Sequence, residues 1–223
     1  MMEEIEWPSD DSGERADLSG VLAAVGHADS EAVRFEGFNR IANTQAQMGQ
    51  FGDSRQSFMK AWKAAPKDLA ADWAHDVANF IVAYDEGDLS DSEKAFTVKL
   101  AYAAARGAEK QCSGEIAKCE AGDHEGMADG DGMADGMGMF AGGDGDSADG
   151  GDDGYLSAED QVADLNRWLA SRLNLLSQVQ YLYGEGSERD RAMLAVGTMQ
   201  RCTELDPENG EYNEILSTYR LSM

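Results

Sequence analysis

Three histidines, three cysteines and a run of alternating aspartate and glycine are the residues of this 223-residue chain whose types could do chemistry. His27, His75 and His124 fall in no His-x-x-x-His or Glu-x-x-His arrangement, the spacings that put two metal ligands on one helix face. They read as solvated or capping side chains. Cys112, Cys119 and His124 stand seven and five residues apart, unlike the close pairs of a zinc knuckle. The cysteines read as thiols on a helix face. "DGDG" at Asp129 and "GGDGDSADGGDD" from Gly142 alternate carboxylates with flexible backbone, as calcium loops do. The EF-hand order, closed by a distant glutamate, is not met, and a nonapeptide calcium turn is out of register at Asp146. These carboxylates support weak divalent-cation association and nothing firmer, so no metal and no cofactor is assigned. The glycines are not a phosphate loop either: no strand precedes them, no lysine follows, and eleven carboxylates repel a phosphate. Nowhere do a nucleophile, a base and an oxyanion donor assemble, so no catalytic residue is assigned and the chain is not expected to be an enzyme.

Charge narrows the partners. Asp plus Glu number 43 against 18 Lys plus Arg, a formal net charge of −25. Only seven of the cations are lysines. Carboxylate-rich, lysine-poor surfaces resemble those of proteins from salt-loving microbes, where self-repulsion is screened as the Debye length shrinks to about 3 Å near 1 M salt. Nucleic acid is not an expected partner, because no face can supply the cations that neutralise phosphates. Hydrophobic residues make up 42%, enough for a globular core. No run of 18 apolar residues is present, so no membrane span is expected. "MMEEIEWPSDDSGERAD" lacks the basic and apolar regions of a signal peptide, and an odd cysteine count offers no disulfide framework. A cytoplasmic protein, or part of a particle assembled in the cytoplasm, is the expected setting.

The elements that must position any site are helices, since no sustained period-2 alternation appears. Residues 1–17 form an acidic arm. Residues 18–119 hold helical hairpins: Leu18–Val25, a helix capped by Asp29 or Ser30 and closed by Gly49, and a third capped by Asp53 or Ser54 and stopped at Pro66. Trp73, Val77, Phe80, Ile81 and Tyr84 then space out a helical apolar stripe, and a helix from Ser90–Ser92 runs long, toward Cys119. Residues 120–155 contain 12 of the chain's 25 glycines and no cation, the composition of a flexible acidic insertion. Its Met127, Met133, Met137 and Met139 beside Phe140 suit either adaptable docking or a solvated linker. Residues 156–223 resume with the cap-like "SAED" and end on helices around Ala195–Cys202 and Tyr212–Tyr219.

One stretch is written twice. "GQFGDSRQSFMKAWKAAP" from Gly49 aligns without a gap with "GDLSDSEKAFTVKLAYAA" from Gly87, matching Gly49 with Gly87, Ser54 with Ser92 and Phe58 with Phe96. Helix pairs repeating at this interval mark an α-solenoid, in which each hairpin buries its neighbour's apolar face. Counted back from Pro66, Ala42, Gly49, Phe51, Ser54, Phe58 and Ala61 take the small, turn, aromatic and large positions of one motif, and Ala195, Met199 and Cys202 before Pro207 repeat its end. The chain thus resembles the tetratricopeptide repeat family over about 35–107 and 176–219. The resemblance implies a stack of antiparallel hairpins with a partner groove on the first helices. Its positions are Glu36, Asn39, Asn43 and Gln47 in the first repeat and Val77, Ile81 and Tyr84 in the second. In chaperone-binding members Lys and Asn clamp a carboxylate; Asn43 matches that Asn, but Asn39 stands at a Lys position, and Ser177 and Tyr181 replace the third repeat's cations. The implied function is a non-catalytic scaffold or adaptor for a protein or peptide. The alternative is a structural or assembly subunit of a larger particle, which would form homo-oligomers.

Overall fold

The computed structural model describes residues 18–66, 71–121 and 157–223. The N-terminal arm, nearly all of the glycine-rich insertion with its methionines, and His124 lie outside these. Among the described residues the chain forms eight α-helices and no strand. They are α1 (Ser19–Gly26), α2 (Glu31–Gln47), α3 (Phe51–Lys63), α4 (Ala71–Ala83), α5 (Asp91–Ala121), α6 (Ala158–Tyr183), α7 (Glu188–Leu205) and α8 (Gly210–Leu221).

Local chemistry sets most of the boundaries. Ser30 caps α2, and the Ser157 side chain accepts from the Asp160 amide at 3.1 Å to start α6. Ser187 and Asp190 close a reciprocal capping box at α7, and Ser90 does the same with Glu93 at α5. α3 departs from expectation. It starts at Phe51, ahead of Asp53 and Ser54, with no side-chain cap. Gly49 turns the chain at φ 71°, so Ser54 is free to pack instead of cap.

The described residues divide into two compact units. The first comprises 18–66 and 80–96, the second 71–79, 97–121 and 157–223. α4 and α5 each supply a segment to both.

In the first unit, α2 and α3 form an antiparallel hairpin with α1 against α2. Gly37 allows that last contact: a Cβ there would stand 2.7 Å from the Val25 methyls. Ser54 is fully buried, and its hydroxyl donates to the Ala42 carbonyl at 2.8 Å, so the two small residues do bring α2 and α3 together. Ser57 makes a second tie, donating to Gln45 Oε1 at 2.7 Å. The 38-residue echo survives in three dimensions. Gly87 repeats the positive φ of Gly49 at 87°, and Phe96 is buried as Phe58 is. Arg55 and Glu93 occupy equivalent places in the two copies and bond to each other at 3.1 Å, both buried. Ser92 breaks the pattern. It is exposed, and Glu93 takes the buried place beside it.

In the second unit, α6 and α7 form a hairpin and α8 packs on α7. Leu173, Leu176, Val179, Ala195 and Met199 lie in its core. The α4 segment is held by Arg172, whose guanidinium bonds Asp72 Oδ1 at 2.6 Å and lies 4.7 Å over the Trp168 ring. Gly107 lets Ala71 approach α5, since a Cβ there would stand 2.6 Å from the Ala71 methyl.

Candidate functional site

Three helices of the second unit leave a groove of about 440 Å³. Each contributes a stripe at helical spacing. From α5 come Tyr102, Ala105, Arg106 and Glu109; from α6, Leu173, Leu176 and Gln180. α7 adds Met193, Leu194, Gly197, Thr198 and Arg201. The α6 residues are buried and form the floor. The walls are open: Met193 is 56% exposed and Leu194 51%.

Polar side chains tie the walls to the floor. Gln180 Nε2 donates to the Tyr102 hydroxyl at 3.0 Å, and Thr198 Oγ1 donates to Gln180 Oε1 at 2.8 Å. Seven residues further along α5, Glu109 accepts from the Arg201 guanidinium at 2.5 Å. Arg106 enters no ion pair among the described residues. The groove therefore has an apolar centre, a satisfied amide in its floor and a cationic bias at one end. Such a site has the apolar lining and few polar groups of a binding surface.

The thiols are core groups. Cys112 donates to the Leu165 carbonyl at 3.3 Å and Cys202 to the Ala170 carbonyl at 3.5 Å. Burial pushes the Cys202 thiol up to about 12, far from a reactive thiolate. His75 Nδ1 lies 3.3 Å from its neighbour Asp76, and His27 is exposed after α1. Among the described residues no three of His, Cys, Asp and Glu converge to hold a metal ion.

The groove positions implied by the repeat resemblance fall elsewhere. Glu36 and Gln47 are exposed on α2, and Asn39 and Asn43 are half-buried on the same helix. Asn43 Oδ1 is buried and accepts no hydrogen bond among the described residues. Val77 and Ile81 are buried, Ile81 completely, as their apolar stripe implies. Tyr84 is exposed, with its ring stacked on Phe51 at 4.2 Å. Ser177 is buried, and Tyr181 stacks on Tyr219 at 4.7 Å. The groove on α5, α6 and α7 was not anticipated. Its signal was present in Met193-Leu194, two large apolar residues on the side of α7 opposite the buried Ala192, Ala195, Met199 and Cys202.

Gly197 gives a direct test of the wall. It lies mid-helix, and a Cβ built on it meets nothing among the described residues within 4 Å beyond its own helix. Gly197→Ala is expected to stabilise the protein by about 1 kcal/mol, since glycine is the poorer helix former by about that amount. Urea melts check this; a destabilised variant would mean that the wall is packed, not open.

Comparison with models of known families, with curated proteins and with solved structures returned no match.

Proposed function

We propose that the chain is a non-catalytic protein-interaction scaffold of tetratricopeptide-like hairpins, adapted to high salt, and that the groove on α5, α6 and α7 is where a protein partner docks. The observation that carries this reading is the clustering of exposed apolar side chains. Seven large hydrophobic residues are exposed among the described residues, and Tyr102, Met193 and Leu194 surround this one groove. Clustered apolar exposure at an open groove costs solubility unless something covers it. Methionine and leucine walls also adapt to the shape of what docks.

A photo-crosslinking residue at Leu194, with the exposed Ser217 as control, tests this in the cells that make the protein. Discrete adducts with another protein from position 194 alone are expected. Equal or absent adducts at both positions would refute the docking role.

The alternative, an assembly subunit, is favoured by a second patch. Leu221 is 90% exposed, Leu182 and Met223 are exposed too, and Tyr181 bonds Ser222 at 3.0 Å, which ties the chain's last residues to α6. Adducts that run as multiples of the chain would favour it.

The high-salt part rests on the net charge of −25. The melting temperature is expected to climb steeply between about 0.1 M and about 2 M KCl as carboxylate repulsion is screened. A flat or falling melting temperature in calorimetry would remove that part.

A further inference from the structure

We propose that the groove takes an amphipathic α-helix of a partner protein, which crosses α7 at Gly197, sets apolar side chains on Leu173 and Leu176 and brings a carboxylate to Arg106. This deepens the interaction reading above and rests on it.

Three observations converge. The first is Gly197 itself. Glycine inside a helix is unfavourable, and close packing accounts for it at two sites: a Cβ at Gly37 would strike Val25, and one at Gly107 would strike Ala71. At Gly197 nothing among the described residues beyond its own helix lies within 4 Å of that position. The same holds at Gly20, Gly26, Gly114 and Gly210, but of these five only Gly197 lines this groove. A side chain missing from the wall of an open apolar groove lets another backbone come close.

The second is the state of the groove's polar atoms. Gln180, Tyr102 and Thr198 bond one another. An extended peptide would lay unpaired N–H and C=O groups against the middle of the groove, where Gln180, Tyr102 and Thr198 already bond one another. A helix satisfies its own backbone and needs only apolar contact there. From Tyr102 to Glu109 the wall runs about 10 Å at 1.5 Å per residue, about the width of one crossing helix.

The third is charge. The chain carries 43 acidic and 18 basic residues, yet this groove is lined by Arg106, Arg201 and one acid, Glu109, which Arg201 engages. Arg106 is the cation left over. A partner carboxylate at that end gains a charge-assisted bond, and the acidic remainder of the surface repels it only at long range, a repulsion that concentrated salt removes.

The probe is a pair of fluorescein-labelled peptides, each about 18 residues of Ala and Gln with leucines on one helical face, long enough to hold helix once docked. One carries Glu beside the leucine stripe, its twin Lys. Fluorescence anisotropy against the full chain is read in about 2 M KCl, where long-range charge is screened. The Glu peptide is expected to bind about tenfold or more tighter than its twin, and Arg106→Glu to reverse that preference. Gly197→Leu, which fills open space and should melt no lower than wild type, is expected to weaken the Glu peptide by about tenfold or more. Equal binding of the twins, or a Glu-peptide affinity indifferent to Gly197→Leu, overturns the proposal. If neither peptide binds while Leu194 still crosslinks another protein, the helix is the wrong occupant and the docking role stands; if the crosslink is also absent, both fall. A dimer in light scattering that Gly197→Leu splits would make the occupant a second copy, which also overturns it.

Discussion

Arg55→Leu is expected to lower the free energy of unfolding by about 3–5 kcal/mol, because it leaves a buried carboxylate without its cation. Arg55 Nε donates to Glu93 at 3.1 Å and its NH2 group to Asp88 at 2.8 Å. The two acids differ. The Asp88 side chain is 61% exposed and can turn to water, whereas that of Glu93 is 7% exposed and cannot. Burial pushes the Glu93 carboxyl up, but hydrogen bonds from the Ser90 hydroxyl and amide, and from Arg55, outweigh it and hold the group below the usual carboxylate range. A depressed pKa in the folded state stabilises the protein above the unfolded carboxylate's value of about 4.3, and that contribution fades as pH falls through the folded value. The gap between wild type and Arg55→Leu should therefore be widest near pH 7 and should narrow as the pH falls below about 4. Adding Glu93→Met should restore most of the loss, since an apolar pair of similar size needs no cation. Urea melts of the three variants at both pH values check each step; a loss under about 1 kcal/mol for Arg55→Leu would show Glu93 reaching water.

Phe58→Ala is expected to cost about 3–5 kcal/mol, the range for emptying a buried aromatic site. Phe58 is 3% exposed, and its ring meets Phe80 edge-on at 5.6 Å. Phe80 in turn lies 6.1 Å from Phe51 and 5.1 Å from Tyr84, so the cavity would open beneath a chain of rings that cannot collapse without losing their own contacts. Phe51→Ala should cost less, because Phe51 is only half-buried and water can replace part of it. Thermal melts of the two variants rank them. A Phe51 variant less stable than the Phe58 variant would place the centre of the cluster outside the α3 core.

The paired stretches separate what is local in this chain from what is tertiary. Gly49 and Gly87 are alike because a positive φ is a local demand that glycine meets in any surroundings. Phe58 and Phe96 are alike because each is the large apolar residue on its helix's buried face. Ser54 and Ser92 are alike in sequence and differ in place. A small residue marks a close helix contact only where a second helix arrives, and one arrives at Ser54 alone. Val77 and Ile81 make the same point from the other side. The helical stripe put them in the core, the repeat register put them in a groove, and the stripe agrees with their burial.

Periodicity and capping chemistry were enough to give the helical class, the starts of α2 and α6, and a long α5 running toward Cys119, which extends to Ala121. Those features depend on periodicity and on serines that bond amides three residues away, so a short window holds all the physics. Only the tertiary structure decided that Arg55 answers Glu93, that the distal part of α5 belongs with the C-terminal helices, and that Tyr102, Leu173 and Leu194 face one groove. Periodicity tells which residues share a helix face and says nothing of which face meets which neighbour. That choice is settled by how the side chains of several helices fill space together, across separations that for Arg55 and Glu93 reach 38 residues and for Tyr102 and Gln180 reach 78.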